Sequence, residues 1–94
     1  MPKQPVYKAL AHPVRREILR VLRAGSRPAG DIAHEFDLAL STLSGHFNVL
    51  KEANLIQGER TGTTIIYHLN LSVLEEALMG LVSMFDLEGD DHAR

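Results

Sequence analysis

Leu40-Ser41-Thr42-Leu43-Ser44-Gly45-His46-Phe47-Asn48-Val49-Leu50-Lys51 is the stretch that decides the fold. Leu40, Leu43, Phe47 and Leu50 recur at helical spacing and face one way, while Ser41, Ser44, Gly45 and Asn48 form the opposite strip. A helix that enters a DNA major groove needs short side chains where its backbone comes close and hydrogen-bonding groups where base edges lie. Ser41, Thr42, Ser44, Gly45 and Asn48 supply this, and an Asn can pair bidentately with adenine. Leu40, which opens the helix, is placed with these contact residues. On pattern alone the strip suits a solvated polar face equally well.

The neighbouring segments give this helix a setting. Pro28 to Phe36 reads as a brief helix with Ile32, Ala33 and Phe36 on its apolar side, weakened at its start by Gly30. A few linking residues separate the two, which is the helix-turn-helix arrangement. Downstream the periodicity changes. Leu55-Ile56, a glycine-containing Gly58–Thr64 segment and Ile65-Ile66-Tyr67 with Leu69 predict a two-stranded hairpin. Its tip carries Arg60, Thr61 and Thr63, suited to lying along phosphates with Arg60 entering a minor groove. An ordinary hairpin turn is the plainer reading.

Upstream, a short helix spans about residues 5–11, with Val6, Ala9 and Leu10 on one side. Pro13 then opens a better one, whose apolar arc is Val14, Ile18, Leu19, Val21 and Leu22. Gly25 stops it. Arg16, Arg20 and Arg23 flank that arc, with Arg15 further round. Arg16, Arg20, Arg23 and Arg27 are candidate phosphate contacts, as is Lys51 at the end of the groove-reading helix. The plainer readings are a solubilising face and, for Lys51, a helix-dipole partner.

Ser72-Val73-Leu74-Glu75 predicts a capping box opening a last helix that runs to about Phe85. Its apolar residues cover roughly half the circumference, more than a small domain can use, so a second copy is expected on them. The predicted dimer interface is Val6, Leu10, Leu74, Leu78, Leu81, Val82 and Phe85. Residues 1–88 are read as one domain and 89–94 as an acidic, disordered tail.

Composition sets the outer bounds. With 94 residues, 45% hydrophobic and 23% charged, the chain forms one small globule. The net charge of −2 hides an asymmetry: residues 1–69 carry nine Lys or Arg against six Asp or Glu, residues 70–94 one against six. A mildly basic body is compatible with nucleic acid. The absence of Cys removes thiolate metal sites and thiol nucleophiles. Ser44 and His46 lie two apart on a helix and do not face each other, so no nucleophile–base pair forms and no enzyme is expected. The start lacks a signal-peptide pattern and no apolar run would insert in a membrane, so a cytoplasmic protein is expected.

Five separated motifs resemble the ArsR-type family of winged-helix repressors. They are Ala9-Leu10-Ala11-His12-Pro13-Val14-Arg15-Arg16-Glu17-Ile18-Leu19, then Gly30-Asp31-Ile32-Ala33, then Ser41 to Lys51 with Leu55-Ile56, then Arg60-Thr61-Gly62, and Tyr67-His68-Leu69. The resemblance covers about residues 5–85. It implies a mainly α, dimeric winged helix-turn-helix with a small two-stranded β wing. It also implies double-stranded DNA as partner, with the Ser41–Lys51 helix in the major groove at a palindromic operator. Ala39 stands where the family often has a capping Ser or Thr, and Gly45 where a long basic residue is common. The thiolate cluster used by many relatives is missing, and Ser72–Phe85 has no His, so neither a metal nor a cofactor is expected. The pattern is similar to the metal-independent autorepressor branch, whose members can be relieved by sequestration at a membrane protein, so a regulatory partner protein is one implied partner. Two alternatives stay open: a dimeric protein-interaction module that does not bind DNA specifically, and a metal-responsive repressor with a non-thiolate site.

Overall fold

A computed structural model describes residues 3–87, and the 89–94 segment lies outside them. The order is α1 Lys3–Leu10, α2 Pro13–Ala24, β1 Arg27–Pro28, α3 Ala29–Phe36, α4 Leu40–Glu52, β2 Ile56–Thr61, β3 Thr64–Leu69 and α5 Leu71–Met84. His12 caps α2: its Nδ1 accepts from the Val14 amide at 3.1 Å, and Pro13 follows in the first turn. α4 begins after Ala39 with no side-chain cap. Its anchor is burial, because Leu43, Phe47 and Leu50 are almost wholly enclosed at the centre of the core. There they meet Ile18 of α2, Ile32 of α3, and Leu55. The Phe47 and Tyr67 rings stack at 4.3 Å, tilted by 34°. With its apolar side thus spent, α4 turns Ser41, Thr42, Ser44, Gly45 and Asn48 to the surface.

The sheet has three strands in the order β1-β3-β2, all antiparallel. The predicted hairpin is β2–β3, in register from Ile56↔Leu69 to Thr61↔Thr64. Gly62, at φ 64°, takes the left-handed backbone of the first residue in a two-residue turn. Gly58 sits opposite Tyr67, and a Cβ there would come within 3.0 Å of Ile65 Cγ2 and 3.1 Å of Tyr67 Cε1. β1 adds to the expected two strands. It pairs Arg27 with Tyr67 and Pro28 with Ile66. Two residues are too few to show alternation, and a proline at the end of an edge strand lacks only an amide that no neighbour needs.

The predicted capping box does not form. α5 starts at Leu71, its N-cap is Asn70, and no side chain caps it. Asn70 instead ties the end of β3 to the α4–β2 corner: its amide donates to Leu55 O at 2.9 Å and its Nδ2 to Asn54 O at 2.8 Å. The strand's exit therefore sets the helix start, and Ser72 falls inside the first turn. α5 packs chiefly on α1 and fully buries only Ala77.

Candidate nucleic-acid interface

Ser41, Thr42, Ser44, Gly45 and Asn48 are all exposed on one side of α4, with Leu40 half exposed at its start. A Cβ built on Gly45 would meet nothing within 4 Å, so this part of the helix is open to close approach by another molecule. Arg60, Thr61 and Thr63 are exposed on the hairpin, Arg60 lying opposite Ile65. The two sets meet in part, through Leu40, Ser44 and Thr63, while Ser41, Thr42, Gly45, Asn48, Arg60 and Thr61 lie outside the shared groove. Leu40 and Ser44 of α4 share the walls of one open groove of about 540 Å³ with Thr63, Thr64 and Ile65 of the hairpin and with Gly30 and Asp31 of α3. Tyr67 and Phe47 form its floor, where burial pushes the Tyr67 phenol above its usual range.

The predicted phosphate-contacting residues divide. Lys51 is exposed at the end of α4, with its ammonium 6.0 Å from the Tyr67 ring centroid. Arg16 and Arg20 do not join the groove. They line a separate apolar trough with Leu10, Leu19, Leu74 and Leu78, between α2 and α5. Arg16 donates to Leu10 O at 2.9 Å, and Arg20 pairs with Glu17, whose carboxyl it holds below the usual range. Arg27, at the sheet edge, pairs with Glu35.

Of the predicted interface residues, Val6 is buried in the protomer's own core at 8% exposure and has nothing left for a partner. The reason is the roll of α1, which turns Val6 and Ala9 inward. Leu10, Leu74, Leu81 and Val82 are half-buried, and Leu78 and Phe85 are exposed. Met79 and Met84, at 58% and 61% exposure, extend this apolar surface. Neither methionine belongs to the predicted interface set.

The histidines hold structural positions that spacing alone did not reveal. His68 is hydrogen-bonded to Ser26 Oγ at 2.7 Å through Nδ1 and to Glu59 Oε1 at 3.0 Å through Nε2. A carboxylate only accepts, so neutral His68 carries its proton on Nε2 and accepts from the serine. This chain clips β2 and β3 to the start of β1 at the surface. Among the described residues no three His, Asp or Glu side chains gather to hold a metal, and no helix is long and apolar enough to cross a membrane.

A buried-backed helix with a polar outer strip, sharing a groove with an antiparallel hairpin, defines a winged helix-turn-helix DNA-binding domain. A family model described as a helix-turn-helix domain matches residues 10–59. The chain is 38% identical over 86 residues to the transcriptional repressor SdpR of Bacillus subtilis, covering 92% of this chain and 94% of that one. A solved homodimeric winged helix-turn-helix DNA-binding domain from Mycobacterium bovis, described as a possible ArsR-family transcriptional regulator, superimposes with a TM-score of 0.72 at 32% identity, over 96% of this chain and 85% of its own. An ArsR-like transcriptional regulator from Rhodococcus sp. RHA1 shares the fold at a TM-score of 0.78 and 22% identity, over 90% and 80% of the two chains. The protein belongs to the ArsR family of transcriptional regulators, and is a DNA-binding protein and not an enzyme.

Proposed function

We propose that the protein is a homodimeric repressor acting in the cytoplasm on a palindromic operator. α4 enters the major groove, where Ser41, Thr42, Ser44 and Asn48 face base edges and Gly45 lets the backbone come close. Arg60, Thr61 and Thr63 follow the adjacent phosphates, and Lys51 adds a further cation at the groove edge. α5 with Leu10 joins the two protomers through Leu74, Leu78, Leu81, Val82 and Phe85. Repression is the reading favoured by likeness to SdpR, and a homodimer by likeness to the Mycobacterium bovis domain.

The single observation carrying this reading is the groove shared by Ser44 and Thr63, which presents helix and wing to one ligand at once. Equilibrium binding to duplex DNA over a range of salt tests it. Affinity should fall steeply as salt rises, because cations released from the phosphates drive association even for a chain of net charge −2. An affinity independent of salt would place the working surface elsewhere and favour a protein-interaction module.

A further inference from the structure

We propose that Arg15 is a positioning residue that sets the DNA-reading helix α4 against the N-terminal helix α1, and that neutral His46 is the acceptor on which this setting depends. The inference rests on the reading of α4 as the helix that meets DNA.

Arg15 leaves α2 and spends its guanidinium on two other helices. Nε donates to Ala9 O at 2.9 Å and Nη2 to Lys8 O at 3.1 Å, both near the C-terminal end of α1. Nη1 lies 3.2 Å from His46 Nδ1 on α4. An arginine has no acceptor and does not lose its proton, so the His46 nitrogen must be the lone-pair side of a neutral ring. Of the outer strip, Gly45 immediately precedes His46 and Asn48 lies two residues beyond it. A shift at the His46 ring therefore rotates the residues that face DNA.

The Arg15 guanidinium sets a fixed positive charge beside His46. The His12 ring stands 4.6 Å away, and the His12 Nδ1 is committed to the Val14 amide. Lys8 contributes only its carbonyl. α3 and β2, which also pack on α4, bring Asp31, His34, Glu35, Glu59 and Arg60, and none of these acts on the His46 ring. Among the described residues, no carboxylate forms an ion pair with Arg15, His12 or His46. Desolvation first, then His12 and Arg15, hold the imidazole below its ordinary range. Protonation of His46 removes the acceptor and sets a cation against the guanidinium, so acid releases α4 from α1. This is opposite in sign to the usual effect of acid on DNA binding, where added positive charge strengthens phosphate attraction.

The test compares wild type with His46→Gln, which keeps an acceptor and cannot titrate, and with Arg15→Gln. The ligand is a duplex selected from a random library by the wild type near neutral pH. Wild-type affinity should drop about tenfold between about pH 7.5 and about pH 5.5, a coupling of ordinary allosteric size across the imidazole range. His46→Gln should abolish the drop, and Arg15→Gln should weaken binding at the upper pH and flatten the profile. Histidine NMR on the free protein should show His46 titrating upward when Arg15 is replaced. An unchanged pH profile in His46→Gln, or a His46 titration indifferent to Arg15→Gln, overturns the proposal. If the wild type selects no duplex at any pH, the DNA reading has failed, and the NMR titration still decides whether the strut exists.

Discussion

Asn48 and Ser44 on α4 should answer substitution differently from Arg60 on the hairpin. Replacing Asn48 or Ser44 by Ala should lower the ratio of specific to random binding by about 1–3 kcal/mol per base-reading contact and leave the salt dependence almost unchanged. Arg60→Ala should weaken cognate and random binding alike, and should lower the log–log salt slope by roughly one per lost phosphate contact, so about two per dimer. Titrations of each variant against both duplexes separate the two roles. His46 makes a further prediction at this scale, in the absence of DNA. Its folded-state affinity for a proton is lowered, chiefly by desolvation. The unfolded chain therefore binds more protons below the ordinary imidazole value of about 6.5, and stability must fall as pH drops through that value. Chemical denaturation at stepped pH should show this loss in wild type, and a shallower one in His46→Gln.

Among the elements, α4 was the most legible, because its apolar and polar residues alternate at a strict helical period and the apolar ones are all large. The hairpin was legible for a different reason: Gly62 and the threonines mark a turn just ahead of the β-branched Thr64-Ile65-Ile66 run. Two elements were not. β1 is a pairing of two residues that exists only because β3 offers an unpaired edge beside Pro28. The start of α5 obeyed a tertiary constraint, the Asn70 link to the α4–β2 corner, over the local capping motif. Melting curves can measure that choice. Ser72→Ala should change stability by less than about 0.5 kcal/mol, as for an ordinary surface substitution, since Ser72 caps nothing. Asn70→Ala should cost about 0.5–1.5 kcal/mol through the lost bond to Asn54 O. The reverse ranking would restore the capping box. The site was legible as two separate candidates, strip and wing tip. That Ser44 and Thr63 line one groove depends on β3 packing Tyr67 against Phe47, which no spacing encodes.

For the whole molecule the sequence pattern again showed half of the arrangement. Surplus apolar surface on the last helix was evident, but the roll of α1 that buries Val6 and leaves Leu10 beside Leu74 and Leu78 is a packing outcome. With Leu78 at 47% and Phe85 at 65% exposure, a lone protomer leaves side chains in water that are each worth about 1.5–3 kcal/mol when fully buried. Leu78→Lys should therefore give monomers or aggregates by analytical ultracentrifugation, while the wild type sediments as a dimer at micromolar concentration. The central claim is that two such protomers place two α4 helices in successive major grooves. Selection from a random duplex library, sequenced and followed by equilibrium binding, tests it most directly. The account predicts enrichment of two-fold related half-sites whose centres lie about 10 base pairs apart, with a preference over random DNA of about a thousandfold or more. Enrichment of no sequence beyond about tenfold, or of an asymmetric site filled by one protomer, would contradict it.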